Sequence, residues 1–303
     1  AYEILRCLVG SEMCIRDRQW IDPLLKLSDF RGCEYNFTNN FVWSGIYNIT
    51  VGRFQDFYVS KHGNCFVFPA GKGDTDALLS ELKNYCDSTG IPFEFCSMDI
   101  KDKQMLEQRY PGMFTFDTSE DLYDYVYQSQ SLATLGGKKL HSKRNYINRF
   151  KQLNWSFEDI TPDNIDECKQ MSLEWCIRND CDKSEDKSEE MCAVGIGLEH
   201  FFDLGLVGGI LRVDGRIQAF SYGEQQCSDT FVTHVEKAFT DYDGAYPMIN
   251  YMMANRFCKG LEYINREEDM GEENLRKAKK SYHPCFMVEK FSAVYNAGKG
   301  QSE

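Results

Sequence analysis

Polar and apolar positions along this chain fall into two successive runs of short strands and amphipathic helices. In the first run, residues 21–27 and 36–43 carry helical spacing. Three short stretches at 48–51, 57–60 and 65–68 predict strands joined by turns. A helix over 75–88 follows, capped by Asp74 or Thr75 and apolar at Ala77, Leu78, Leu82 and Tyr85. A strand at 93–96, a helix over 101–109 and a strand near 113–116 complete this half, whose aromatics read as core.

The second run starts with a strand at 156–160, and Thr161-Pro162-Asp163 then opens a helix with a proline in its first turn. A polar, acidic break at 179–190, an exposed loop or a helix start, separates it from a helix over 191–204 that ends at Gly205. The plainest local signal comes next, strands on either side of Asp214-Gly215, the pair that a two-residue hairpin turn requires. In the third strand, 230–237, Phe231, Thr233 and Val235 alternate with Val232, His234 and Glu236. A loop, a helix over 247–258, a strand at 263–265, a polar turn at 266–271, a helix over 272–282 and a closing strand at 285–291 follow. The order β-α-α-β-β-β-α-β-α-β predicts a mixed sheet and places the chain in the α/β (α+β) class.

Length and composition widen this into two domains. A chain of 303 residues can bury two cores, and 42% hydrophobic with 14% aromatic residues argues against disorder. No apolar run approaches the ~20 residues of a membrane span, so a cytoplasmic protein without a transmembrane segment is expected. The 13 cysteines form no C-x-x-C pair, so they read as reduced thiols, with no metal site expected. The opening segment, 1–18, back-translates in one frame as a sequencing-library adapter. It is expected to be foreign and is set aside.

Charge singles out one stretch. The formal net charge is -13, yet 125–157 contains no acid and carries Lys138, Lys139, Lys143, Arg144, Arg149 and Lys151. Ile147 and Phe150, three apart, predict an amphipathic helix with its apolar face in a core and its basic face turned toward an anion. A second basic cluster, Arg276, Lys277, Lys279 and Lys280, lies near the C-terminus beside Tyr282 and His283. The expected division is 19–125 as one domain, 126–154 as a basic connector, 155–297 as a second domain and 298–303 as a tail.

The element order is similar to that of the GNAT (acyl-CoA N-acyltransferase-like) fold. Three stretches carry a closer resemblance: Lys138-Lys139-Leu140-His141-Ser142-Lys143-Arg144-Asn145-Tyr146, Gly209-Ile210-Leu211-Arg212-Val213-Asp214-Gly215, and Tyr263-Ile264-Asn265-Arg266-Glu267-Glu268-Asp269-Met270-Gly271. Together they resemble bacterial proteins grouped with the C-terminal domain of phosphatidylglycerol lysyltransferase. That resemblance implies two tandem GNAT-like domains with the donor pocket in the second, and aminoacyl-tRNA or acyl-CoA as donor. The run Asp241-Tyr242-Asp243-Gly244-Ala245-Tyr246, where a pyrophosphate loop would fall, puts acids against a pyrophosphate and weighs against coenzyme A.

Acyl transfer needs a base near the nucleophile and a donor for the leaving group. Glu236 and His234, two apart on one strand, are the candidate bases, and Tyr282 the candidate acid. Lys143, Arg144, Arg149, Gly244, Asn265, Arg266, Glu268 and Lys277 are the candidate donor-binding residues. The expected function is GNAT-type acyl or aminoacyl transfer from a tRNA acceptor end or a coenzyme thioester. The acceptor would be an amine or hydroxyl of a small molecule, peptide or lipid headgroup. The alternative is a non-catalytic GNAT-like module that binds a nucleotide, an RNA end or a protein partner.

Overall fold

The computed structural model, which describes residues 11–296, resolves these runs into two seven-stranded mixed sheets, one in each of two compact units. Of the segment 1–18, residues 1–10 lie outside the described residues, as does the tail beyond 296.

Unit 1 takes the chain up to Asp124, the short piece Glu268–Gly271 and everything from Val288 onward. It opens with β1 (Ser11–Glu12), α1 (Arg18–Ser28) and α2 (Phe37–Trp43), then β2 (Thr50–Phe54), β3 (Phe57–His62) and β4 (Cys65–Gly71). Next come α3 (Thr75–Thr89), β5 (Glu94–Met98), α4 (Ile100–Arg109) and β6 (Phe114–Thr118). The cap read at Asp74 holds, since it accepts the Ala77 amide at 3.0 Å and starts α3, whereas the helix expected to open at Thr161-Pro162-Asp163 begins only at Ile165, beyond the proline. Leu78, Leu82 and Tyr85 of that helix pack with Phe66, Phe95 and Phe114 of the sheet. β4 and β5 are parallel, joined through α3, and the other pairings of this sheet among the described residues are antiparallel.

Unit 2 holds β7 (Asp124–Gln128) from Tyr125 onward, α5 (Ser129–Thr134), α6 (His141–Phe150) and β8 (Trp155–Asp159). It continues with α7 (Ile165–Arg178), α8 (Glu185–Glu199), β9 (Val207–Val213), β10 (Arg216–Gln225), β11 (Thr230–Ala238), α9 (Ala245–Phe257), β12 (Tyr263–Asn265), α10 (Glu273–Lys280) and β13 (Phe286–Val288). From β8 to β13 this is the predicted order β-α-α-β-β-β-α-β-α-β. β11 and β12 are parallel across α9, as a GNAT-like unit requires. Asp214 and Gly215 both have positive φ, 49° and 77°, the turn that lets β9 and β10 pair without splaying.

The structure departs from the expected boundaries in three further places. The 126–154 stretch is no connector: Leu132, Leu135, Leu140, Ile147 and Phe150 are buried in the core of unit 2, so the apolar face of α6 is fully used. The helix expected over 191–204 already begins at Glu185, inside the acidic break, because Ser184 caps α8 by accepting the Lys187 amide at 3.4 Å. The closing strand divides into β13 and β14 (Phe291–Tyr295), and β14 pairs antiparallel with both β5 and β6 in the sheet of unit 1. The bend between them carries Lys290, a cation 4% exposed that cannot continue a strand face and instead meets buried acids.

Candidate functional site

Glu236 lies near the end of β11, and side chains from two neighbouring elements converge on its carboxylate. Arg266, just past β12, donates from Nη2 to Oε1 at 3.0 Å, and Asn250 of α9 donates from Nδ2 to Oε2 at 3.2 Å. The side chains of Glu236 and Arg266 are 11% and 12% exposed, so the pair is desolvated without being sealed. Ser221 faces Glu236 directly across the β10–β11 register, which puts both side chains on one face of the sheet.

Aromatic rings wall the cation. The Arg266 guanidinium stands 4.9 Å from the ring centre of Tyr282 and 5.7 Å from that of Tyr127. Lys143 of α6 places its ammonium 4.1 Å from the Tyr282 ring centre. All three contacts are cation–π interactions, strongest where water is excluded. Burial lowers the pKa of Lys143, the charge of Arg266 lowers it further, and Glu236 opposes both. Burial raises the Tyr282 phenol against the pull of Arg266, so it holds its proton and is a donor rather than an anion. The strand-end turn is itself braced: Lys279 donates to the backbone oxygens of Arg266 and Glu267 at 2.7 and 3.1 Å, and Tyr127 Oη donates to the Lys279 carbonyl at 2.8 Å.

Three polar atoms of this cluster are buried and have no hydrogen-bond partner among the described residues: Arg266 Nη1, Asn250 Oδ1 and Ser221 Oγ. A buried donor or acceptor left unmade costs about 1–3 kcal/mol. An unspent guanidinium N–H beside an ammonium suits an anionic or carbonyl oxygen. The amide oxygen and the carboxylate suit an amine or hydroxyl.

His234 does not share this cluster. Its Nδ1 lies 2.8 Å from Glu267 and its Nε2 3.4 Å from Glu224, with the side chain 7% exposed. Burial alone would lower its pKa, but the two carboxylates hold it at about 9. A doubly paired imidazolium has no free lone pair at neutral pH, so the candidate base at this position is corrected to a charged brace.

Of the other expected residues, four serve the fold. Asn265 is fully buried and its Oδ1 accepts the Glu267 amide at 2.7 Å, supporting the positive φ of Glu267. Gly244 (φ 95°) caps α9 against α6, where an added Cβ would lie 2.8 Å from the Tyr146 carbonyl oxygen. Arg144 donates to the Leu135 and Gly137 carbonyls, closing the loop that precedes α6. Lys277 forms an exposed pair with Glu273 at 2.7 Å. Arg149 is exposed and pairs with Asp243 at 3.4 Å, while Asp241 pairs with Arg178 at 2.9 Å, so both acids of the donor loop are countered.

Glu268 belongs to unit 1, where its carboxylate meets Cys33 at 3.1 Å and Lys290 at 3.5 Å. Cys33, Asp124 and Glu268 bring ligand-type atoms within 4.8 Å of one another, but the Lys290 ammonium, 2.7 Å from Asp124, already supplies the positive charge there. Asn250 and Ser221 were missed from the sequence. Asn250 had a signal, as a polar residue on a helix face otherwise made of Ala245, Met248, Ile249, Met253 and Ala254.

Fold and cluster together define an acyl- or aminoacyl-transferase-like module, with no helix among the described residues long and apolar enough to cross a membrane. The chain belongs to the family described as phosphatidylglycerol lysyltransferase, C-terminal, whose model matches residues 25–294. It is 40% identical to a conserved protein of unknown function from Bacteroides thetaiotaomicron, with a TM-score of 0.91 over 95% of this chain and 100% of that one. At 14% identity it shares its fold with the C-terminal domain of a putative lysylphosphatidylglycerol synthetase from Agrobacterium fabrum, with a TM-score of 0.66 over 93% of this chain and 92% of that one. L-PGS from Bacillus licheniformis is likewise 14% identical, with a TM-score of 0.65 over 97% of this chain and 95% of that one.

Proposed function

We propose that this protein transfers an aminoacyl group from a charged tRNA to an amine or hydroxyl acceptor on a lipid headgroup or peptide. The observation that carries the proposal is the under-satisfied polar cluster, where Arg266 Nη1, Asn250 Oδ1 and Ser221 Oγ lack partners around a fixed Glu236. In this reading Glu236 takes the proton of the attacking amine or hydroxyl and Tyr282 gives one to the leaving group. Arg266 and Lys143 hold the oxygen on which negative charge develops. The exposed cations Lys138, Lys139, Arg149 and Lys151 meet the phosphates of the acceptor end. An aminoacyl-tRNA is favoured over coenzyme A because the donor loop, 241–246, offers a pyrophosphate no basic side chain of its own.

The test is titration with bulk aminoacylated tRNA at two salt concentrations with coenzyme A as competitor, followed by turnover on mixed acceptors. Glu236→Gln is expected to leave binding intact and lower turnover by ~10²–10⁴-fold. One observation favours a second reading, a non-catalytic binding module: both Glu236 oxygens are already engaged, by Arg266 and by Asn250. Unchanged turnover in Glu236→Gln, or no turnover in the unaltered protein, selects that reading.

A further inference from the structure

Unit 1 contains a second buried ionic cluster that the transferase reading does not use. The Lys290 ammonium lies 2.7 Å from Asp124 Oδ1, 2.8 Å from Glu34 Oε1 and 3.5 Å from Glu268 Oε2. It also lies 3.3 Å from Cys33 Sγ, in direct contact with it. The thiol in turn faces Glu268 Oε2 at 3.1 Å, and the Cys33 amide donates to Asp124 Oδ2 at 2.8 Å. Cys33 and Lys290 are 1% and 4% exposed.

We propose that Cys33 and Lys290 are joined by a covalent sulfur–oxygen–nitrogen bridge when the protein meets dioxygen. The reaction needs a nitrogen lone pair and a deprotonated sulfur, and each atom has its own base in contact. At rest the acidic neighbours keep the Lys290 ammonium charged against its burial; as the N–O bond forms its nitrogen loses a proton to Asp124, whose carboxyl burial holds near 7 against the pull of Lys290. Glu268 takes the thiol proton. One thiol, one ammonium and one dioxygen yield the bridge, one water and one proton. The S–O and O–N bonds form, while the O–O bond, the S–H bond and two N–H bonds break. Dioxygen is reduced by four electrons drawn from sulfur and nitrogen.

Burial shapes the outcome. The thiol is kept protonated at rest, chiefly by burial and then by its acidic neighbours, so it does not react with charged or bulky reagents. A small apolar oxidant such as dioxygen is the kind suited to a site this buried, and the adjacent amine is placed to capture the oxidised sulfur before it takes up more oxygen. The bridge removes the positive charge of Lys290 and ties together residues 257 apart in the chain. It is a modification that exchanges an ionic cluster for a covalent one.

The experiment is intact-mass and peptide mass spectrometry of the full chain, prepared anaerobically under reductant and then equilibrated with isotopically heavy dioxygen. The expected product gains one oxygen and loses two hydrogens, joins the Cys33 peptide to the Lys290 peptide, carries the heavy isotope and is reversed by a thiol reductant. Recovery of Cys33 as a free, alkylatable thiol in the oxygen-treated sample would overturn the proposal. So would Cys33 bearing two or three oxygens with no link to Lys290. Lys290→Arg keeps a cation but cannot form the bridge, and the same cross-link mass in that variant would reassign it elsewhere. The unaltered protein decides the matter even where the variant fails to fold.

Discussion

The two units each bury an ionic cluster, and the clusters differ in how fully they are satisfied. Around Lys290 three carboxylates converge on one ammonium, with the Cys33 thiol in contact. Around Glu236 one carboxylate meets one guanidinium, and three neighbouring polar atoms have no partner among the described residues. A saturated cluster has nothing left to offer a ligand, so its energy goes into the fold. An incomplete one keeps donors and acceptors in reserve, and a folded chain retains that cost where something binds.

The sharpest way to break this comparison is to remove the cation from each cluster. Lys290→Met strands buried acids without their counter-charge and is expected to lower stability against urea unfolding by about 3–5 kcal/mol. A loss below about 1 kcal/mol would mean that the acids are protonated or hydrated in the folded protein. His234 gives the next largest effect. Its folded pKa is about 9 against about 6.5 unfolded, so its stabilisation is full below about 6.5 and is lost as pH rises through about 9. The ceiling is about 3 kcal/mol. His234→Gln should flatten that alkaline fall, and a variant as pH-sensitive as the unaltered protein would show that another group titrates.

Arg266→Met is expected to be milder, about 1–3 kcal/mol, because Glu236 keeps Asn250 and some access to water. The same change should abolish tRNA-dependent turnover, and a variant that is destabilised yet fully active would remove Arg266 from the site. The smallest effect belongs to Lys277→Ala. Its pair with Glu273 is exposed, and the change should cost less than about half a kcal/mol. A large loss of tRNA affinity without loss of stability would restore Lys277 as a donor contact.

Much of the fold was legible because local rules govern it. Asp74, Asp214-Gly215 and the spacing of Ile147 and Phe150 each decide their own neighbourhood within one turn of chain, and each behaves as expected. The site was legible in part. Glu236, Arg266, Tyr282 and Lys143 come together in the structure, whereas Asn265, Gly244, Arg144 and Lys277 take their polarity or glycine character from turns, caps and surface pairs. Their residue types suit both tasks, and nothing in a linear pattern tells them apart.

Sequence by itself determined the element order from β8 to β13, the hairpin turn and which face of α6 is apolar, since periodicity and turn chemistry act over a few residues. Tertiary structure alone decided that β14 joins the sheet of unit 1, that Asn250 completes the grip on Glu236, and that His234 is pinned between Glu224 and Glu267. Those outcomes depend on which side chains are desolvated side by side. Burial and pairing between residues far apart in the chain turn an imidazole into a fixed charge, and no local spacing encodes them.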